Sequence, residues 1–258
     1  MAGMEEQAHE DFADSSSWGS MDPELKEAAC CGDVDFLKSA IASSKPPAYF
    51  LSRFMPSSDD KNYGQRFVGN ILHLAVWHRR VEFVAVAMSM LPKKIIHLLL
   101  SKQETTGWQH WNPLHVAVWK ENSTIVELIA NCGYREVFVA KDSQGRTPAL
   151  LAIKNSESKS ASILTTGSLA ELIKNDGDHE GRMPLYWAVY RGLYDVVLNL
   201  LKCQGTLRCT GPNGLTALHV MTELASAPRG QSTLIPYGSS LIKANKDINY
   251  SNPHEQSV

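Results

Sequence analysis

Three histidines in similar surroundings are the first residues of this sequence that could bind a metal or transfer protons. His73, His115 and His219 each follow a leucine and precede an apolar residue. The ligands of a local zinc site lie about three to five residues apart, whereas these histidines are far apart along the chain. Copies of the surrounding sequence also hold Leu150 and Tyr186 at the same position. We therefore predict that the histidines are structural, with no metal ligand and no catalytic residue among them.

An acidic segment, DGDHEGR, from Asp176 to Arg182, has the spacing that opens a calcium-binding loop. Its acidic residues alternate with other residues and are followed by a glycine, as in such a loop. The bidentate acid that a calcium loop needs at about its twelfth position would fall on Trp187. A polar turn before a helix explains the same residues, so the sequence predicts no calcium site here.

The cysteines form no redox or metal motif. They are odd in number and scattered, without Cys-x-x-Cys spacing, and they are Cys30, Cys31, Cys132, Cys203 and Cys209. Phosphate-binding glycine loops, nucleophile elbows and kinase signatures are also absent from the sequence. We therefore predict a protein that uses no cofactor and is not an enzyme; an enzyme with a concealed site is the less favoured alternative.

Charge and hydropathy argue against two classes of partner. The 258 residues carry a net charge of −2, so no basic surface favours nucleic acid. The most apolar run, Ile95–Leu100, is too short to cross a bilayer, and we predict no direct membrane insertion. Residues 1–20 contain five acidic residues without lysine or arginine, which predicts a disordered acidic arm. Scattered thiols favour a reducing compartment, so the predicted localisation is cytoplasmic.

An apolar pattern recurs at intervals of 42, 35, 36 and 33 residues. Its copies read GNILHLAV, WNPLHVAV, GRTPALLAI, GRMPLYWAV and GLTALHVMT. In the third copy Thr147 precedes Pro148, the order expected where a threonine cap and a proline begin a helix. Further apolar stretches at helical spacing follow, such as VEFVAVAM at Val81–Met88 and TIVELIA at Thr124–Ala130. Each repeat is therefore predicted to be two short antiparallel helices, which bury their apolar faces by stacking.

These repeats resemble the ankyrin repeat, whose signature is a glycine turn and then T-P-L-H-x-A at a period near thirty-three. An earlier stretch, DPELKEAACCGDVDFLKSAI, resembles an N-terminal capping repeat. The resemblance implies an all-α ankyrin-repeat solenoid of five to six helix-turn-helix units with disordered termini. Within a repeat domain of residues 21–224, the units are predicted near residues 21–45, 69–91, 107–135, 142–173, 177–203 and 211–224. Residues 225–258 are predicted to be a polar tail, mostly disordered.

Three segments are predicted to interrupt the regular repeats. The segment between Ser43 and Gly69 is predicted to be a long finger with an irregular loop, because of its turn-forming composition and length. A second enlarged finger is predicted at about Pro92–Trp111. A serine-rich insertion within Asn155–Ile173 is predicted to replace the outer helix of the fourth repeat.

Two stretches, MDPELKEAACCGDVDFL and GNILHLAV, are most similar to plant ankyrin proteins of the accelerated-cell-death type. Those relatives join cytosolic ankyrin repeats to a C-terminal membrane domain, and the resemblance implies stress or defence signalling. No apolar membrane segments follow the repeats in this sequence, which departs from that family. Two functions stay open: a protein-interaction module, or the cytosolic portion of a membrane-tethered signalling or channel-like protein at the cytosolic face of a membrane.

The resemblance places the last residues of each inner helix on the concave face of the stack. Three repeats there pair an aromatic residue with a basic or titratable one. The candidate partner-binding residues are Trp77, His78, Trp119, Lys120, Tyr190 and Arg191. Aromatic residues and arginine are enriched at binding hot spots, so this column predicts a surface for an acidic, partly apolar segment of a protein partner. The alternative is that Trp77 and Trp119 pack between repeats as core residues.

Overall fold

The computed structural model describes residues 19–54, 68–101 and 110–203. These residues form fourteen helices and two isolated β-bridges, with no β-strand in the described ranges, which confirms the all-α fold class. None of these helices is both long and apolar enough to span a bilayer. The chain divides into two compact units, residues 1–108 and residues 109–258. The predicted sixth repeat, the polar tail and residues 1–18 of the predicted arm lie outside the described residues.

The N-terminal unit arranges its helix pairs in two layers, with one additional helix after each pair. Its described helices are α1 (Pro23–Cys31), α2 (Val34–Ala42), α3 (Pro47–Leu51), α4 (Ile71–Trp77), α5 (Val81–Met90) and α6 (Lys93–Ser101). Inner helix α1 packs on α4, and outer helix α2 packs on α5. Leu25, Leu37, Leu72 and Phe83 are buried in this stack. Each fully buried side chain of this size contributes about 1.5–3 kcal/mol to stability.

The first helix pair is defined by its capping residues. The Asp22 carboxylate accepts hydrogen bonds from the backbone N–H groups of Glu24 and Leu25, and Pro23 occupies the first helical position. Helix α1 ends at Gly32, whose φ of 84° is a left-handed conformation that favours glycine. This turn lets α2 pack directly on α1.

Helices α3 and α6 lie within the two fingers that the sequence predicted. Helix α6 occupies much of the predicted second finger and buries apolar residues that include Ile95 and Leu99. Lys93–Ser101 within the predicted second finger is therefore a packed helix, because apolar residues at helical spacing pack α6 on α3, α4 and α5. In the first finger, Pro47–Leu51 is helical, and residues 55–67 lie outside the described ranges.

The C-terminal unit repeats the two-layer arrangement. Its described helices are α7 (Pro113–Trp119), α8 (Ser123–Ala130), α9 (Arg135–Val139), α10 (Pro148–Lys154), α11 (Ser158–Leu164), α12 (Ser168–Ile173), α13 (Pro184–Arg191) and α14 (Tyr194–Leu201). Inner helices α7, α10 and α13 contact one another in a row, and outer helices α8, α11 and α14 form a second row. The short helices α9 and α12 contact each other and follow α8 and α11.

Asparagine takes the capping position in one repeat of each unit. The Asn112 side-chain oxygen accepts a hydrogen bond from the His115 N–H at 3.0 Å, while its amide donates to the Val137 carbonyl at 2.8 Å. Asn70 caps α4 in the same way and donates to the Leu99 carbonyl at 2.8 Å. Each asparagine therefore caps the start of an inner helix. Its amide also binds the additional helix that follows the same helix pair, which is α6 in the N-terminal unit and α9 in the C-terminal unit.

The serine-rich segment of the fourth repeat forms the outer helix α11, so the prediction that this repeat loses its outer helix is wrong. Helix α11 contacts α8 and α14, and Ser160 and Ala161 are fully buried. Small side chains allow this close packing, and the polar groups are satisfied locally. The Ser160 hydroxyl donates to the Glu157 carboxylate at 3.4 Å, and the Thr165 hydroxyl donates to the Ala161 carbonyl at 2.7 Å.

Candidate protein-binding surface

The six predicted binding residues lie at the ends of three inner helices, one of them in the N-terminal unit. There, Trp77 is the last residue of α4 and His78 is its C-cap. Both side chains are half-buried, and the His78 backbone N–H donates to the Leu74 carbonyl at 3.0 Å. Trp77 therefore lies between the two alternatives, neither a fully buried core residue nor a fully exposed anchor.

In the C-terminal unit, Trp119 ends α7 and is 44% exposed. Its ring packs against the ring of Trp111, with centroids 5.3 Å apart and planes tilted by 47°. Trp111 is only 4% exposed, and its indole N–H donates to Asp142 Oδ2 at 3.3 Å. Lys120 follows as the half-buried C-cap. Trp119 thus packs on a neighbour and still presents a large part of its ring to solvent.

Asp142 supports this aromatic pair. Its carboxylate accepts hydrogen bonds from the backbone N–H groups of Gln144 and Arg146, both at 2.9 Å, and lies 2.6 Å from Arg146 Nη2. Burial by itself raises the pKa of Asp142, but the hydrogen bonds and charge of Arg146 outweigh burial and lower it from the usual 3.8. Asp142 is therefore a charged acceptor for the Trp111 indole. We call Trp111, Trp119, Asp142 and Arg146 the Trp119 platform.

Tyr190 and Arg191 are the last residues of α13, and both are exposed. Tyr190 is 50% exposed; its ring stacks parallel to Tyr186 with centroids 6.4 Å apart and meets Trp187 edge to face at 5.6 Å. Trp187 is 8% exposed, and its indole N–H donates to Asp178 Oδ2 at 3.2 Å. Here too, an exposed aromatic residue packs on a buried tryptophan whose indole N–H donates to an aspartate.

Three cations surround the ring of Trp187. Lys154 Nζ and the Arg182 guanidinium carbon each lie 4.7 Å from its centroid, and the Arg191 guanidinium carbon lies 5.6 Å away. Lys154 and Arg182 also form ion pairs with Asp178, at 3.4 and 3.0 Å. Arg191 contacts aromatic rings and has no carboxylate partner among the described residues.

Asp178 holds this second cluster together. Burial by itself raises its pKa, but hydrogen bonds from the backbone of Arg182, the Trp187 indole and the Arg182 side chain, together with the Arg182 charge, outweigh burial and lower it from the usual 3.8. The carboxylate therefore stays ionised at neutral pH. We call Asp178, Arg182, Trp187 and Tyr190 the Tyr190 platform.

The two aspartates belong to one repeated motif that the sequence prediction missed. The pattern D-x-x-G-R-x-P occurs at residues 142–148 and again at residues 178–184. The glycine of each copy has a positive φ, 73° and 75°, which brings the arginine back to the aspartate. The two turns also touch, because the His179 N–H donates to the Gln144 carbonyl at 3.3 Å. A Cβ on Gly145 would come within 2.3 Å of the His179 ring.

The histidines in the described repeats have the structural role that the sequence predicted. His115 Nδ1 accepts the Asn112 N–H at 3.4 Å, and its Nε2 lies 3.1 Å from the Arg146 carbonyl. His73 makes the same capping contact in α4, while His219 lies outside the described residues. Within the described ranges, no group of three or more His, Cys, Asp or Glu could hold a metal ion.

A separate recess of about 640 Å³ lies among α8, α9, α11 and α12. Its lining includes Arg135, Phe138 and Leu169. None of the six predicted binding residues lines this recess, so it does not belong to either platform.

The exposed residues of the two platforms stand at the ends of inner helices α7 and α13, which lie on either side of α10 in the C-terminal unit. Helix α10 contacts α7 on one side and α13 on the other. Because each repeat runs in the same order, the final residues Trp119, Lys154 and Arg191 lie at the same end of this row. Four of the six predicted residues therefore lie at the same end of one helix layer, whereas Trp77 and His78 belong to the N-terminal unit.

Comparison with solved structures identifies the fold. An ankyrin repeat domain from Acinetobacter baumannii AYE, solved at 1.00 Å, resembles this chain with a TM-score of 0.60 and 15% sequence identity. The match covers 86% of this chain and 97% of that one. No family model and no curated protein matches the chain. The stacked helix pairs and this likeness together show that the chain has the ankyrin-repeat fold.

Proposed function

We propose that this chain is a non-catalytic protein-interaction module that binds a partner through the aromatic residues at the ends of its inner helices. The observation that carries the proposal is the exposure of Trp119 and Tyr190, 44% and 50%, at one end of one helix layer. Exposed large aromatic residues of this kind are the usual anchors of protein interfaces.

The support beneath each aromatic residue favours binding. Trp119 rests on Trp111, and Tyr190 rests on Trp187, with both buried indoles held by ionised aspartates. An anchor that is already held in place loses little conformational entropy when a partner arrives. Each aromatic anchor is therefore expected to contribute about 1–3 kcal/mol to binding.

Two further predicted residues complete the proposed surface of the C-terminal unit. Lys120 and Arg191 follow the two anchors and are proposed to contact acidic groups of the partner at the edge of the interface. Trp77 and His78 are proposed to present a similar half-buried pair in the N-terminal unit.

Selection from a random dodecamer library displayed on phage tests the proposal. The whole chain is the bait, and recovered peptides are synthesised and titrated against the wild type and against Trp119→Ala and Tyr190→Ala. Tyr194→Ala is a matched control, because this tyrosine is 40% exposed but begins the outer helix α14. We expect about tenfold to hundredfold weaker binding for the first two variants and no change for the control. Recovery of no peptide, or equal binding to all variants, contradicts the proposal.

A finer proposal rests on the sequence resemblance alone. MDPELKEAACCGDVDFL and GNILHLAV support a role in plant stress or defence signalling, in the cytoplasm, or as the cytosolic portion of a membrane-tethered signalling or channel-like protein. Sequencing full-length transcripts from the source separates the two forms: coding sequence for long apolar segments downstream of the repeats favours the membrane-tethered form. A stop codon directly after Val258 in every transcript opposes it.

A further inference from the structure

The two exposed aromatic residues of the C-terminal unit have different electrostatic surroundings. The ring of Trp119 contacts Trp111, and no described cation lies over it. The ring of Tyr190, in contrast, has the Arg191 guanidinium carbon 5.8 Å from its centroid. Its neighbour Trp187 is surrounded by three cations. The first anchor is therefore apolar, and the second is cationic.

Among the three cations around Trp187, Arg191 is the one that remains available to a ligand. Lys154 and Arg182 share the Asp178 carboxylate, and Arg182 also pairs with Glu180. Arg191 is exposed, stands on two aromatic rings, and has no carboxylate partner among the described residues. The guanidinium lies near two rings that are perpendicular to each other, and it keeps N–H groups from which a carboxylate can accept two hydrogen bonds.

The helix row fixes the spacing between the two anchors. Trp119 and Arg191 end α7 and α13, which lie on either side of α10. Packed helices are about 8–10 Å apart, so the two ends are separated by about 16–20 Å. An extended peptide advances about 3.3 Å per residue and crosses this distance in about five to six residues.

We propose that the partner segment is an extended acidic peptide with an apolar side chain on Trp119 and, about five to six residues away, an Asp or Glu whose carboxylate binds Arg191. This inference rests on the proposed function and names the partner chemistry of the same surface. Charge complementarity selects an acidic occupant, because the cations around Trp187 outnumber the carboxylates that face them.

The peptides recovered from the dodecamer library provide the test. We expect them to pair an apolar residue with Asp or Glu at the proposed spacing. Each synthetic peptide is compared with a version in which Asn or Gln replaces the acid, using fluorescence anisotropy. On the wild type, the amide version is expected to bind at least about tenfold more weakly, because a charge-assisted pair is lost.

Variants of Arg191 assign that difference to one side chain. With Arg191→Gln, the acidic peptide is expected to bind as weakly as its amide version. With Arg191→Lys, which keeps the charge but loses the planar fork, affinity should be intermediate. Arg135→Gln is the matched control, since Arg135 is exposed on α9 and belongs to neither platform, and it should leave affinity unchanged.

The outcomes separate this inference from the proposed function. If Trp119→Ala and Tyr190→Ala weaken binding but the acid and amide peptides bind alike, the interaction module stands and the acidic-partner inference is wrong. Equal binding to the wild type and Arg191→Gln overturns the inference in the same way. If no peptide binds, or if the aromatic variants bind like the wild type, the proposed function fails together with this inference.

Discussion

The Trp119 platform and the Tyr190 platform share a construction but differ in charge. In both, an exposed aromatic residue rests on a buried tryptophan whose indole N–H is held by the aspartate of a D-x-x-G-R-x-P turn. Asp142 pairs with one cation, Arg146, whereas Asp178 pairs with two. The second cation comes from the last residue of α10, which lies next to α13. The same turn can therefore support an apolar or a cationic anchor, depending on how the neighbouring inner helix ends.

The largest effect is expected from removing the buried tryptophan of either platform. Trp111→Ala and Trp187→Ala should each lower the free energy of unfolding by about 3–5 kcal/mol, because each leaves a cavity and an aspartate without its indole donor. Urea denaturation followed by circular dichroism measures the loss. Tyr194→Ala is again the control, with an expected loss of about 1 kcal/mol or less. A loss that small for the buried tryptophans would show that they do not support the platforms.

Removing the carboxylate charge should separate the two platforms. Asp142→Asn is expected to cost about 2–3 kcal/mol, because the side chain of Arg146 is only 10% exposed and is left as an unpaired charge. Asp178→Asn is expected to cost about 1–2 kcal/mol, since Arg182 and Lys154 are each 18% exposed and water can solvate them in part. The same urea curves provide the measurement. Equal losses of unfolding free energy in the two variants would mean that the different exposure of the paired cations has no energetic consequence.

Acid should weaken both platforms. The folded-state pKa values of Asp142 and Asp178 are lowered below the usual 3.8. Their contribution to stability is therefore fully present above that value and is lost as the pH falls through the lower folded-state values. Unfolding free energies measured at pH 6, 4 and 3 should fall more steeply for the wild type than for the Asp142→Asn, Asp178→Asn double variant. Parallel curves would show that other carboxylates cause the acid sensitivity.

The sequence predicted those parts of the fold that depend on local signals. Thr147 caps α10 with Pro148 in the first helical position, as the threonine–proline order indicated. The inner helices end at Trp77, Trp119 and Arg191, within the predicted column. These features follow from capping chemistry and helical periodicity, both of which are written in a few neighbouring residues.

The parts that were missed depend on contacts between distant segments. Helix α11 is serine-rich, so its burial follows from packing on α8 and α14 rather than from its own hydrophobicity. The bond between Trp111 and Asp142 likewise joins residues from different repeats. The repeated D-x-x-G-R-x-P motif was the available signal for both aspartates. One copy was interpreted only as a turn that imitates a calcium loop.

The smallest stability effects are expected for the exposed anchors themselves. Trp119→Ala and Tyr190→Ala should each cost about 1 kcal/mol or less in unfolding free energy, because solvent already covers much of both rings. Trp77→Ala should lower the unfolding free energy somewhat more, by about 1–2 kcal/mol, because Trp77 is half-buried. Leu72→Ala and Leu114→Ala are the core controls in the two units, with expected costs of about 2–5 kcal/mol. If all three aromatic variants lose as much stability as the leucine controls, these residues are core and the binding surface is wrongly assigned.

The affinity of a selected peptide for Tyr190→Ala, titrated at a temperature where circular dichroism shows this variant folded, tests the central claim most directly. The claim is that an exposed aromatic residue on a fixed base serves binding rather than folding. It predicts that the Tyr190→Ala variant binds the peptide more weakly by about 1–3 kcal/mol and has a melting temperature close to that of the wild type. Unchanged affinity in the folded variant would contradict it.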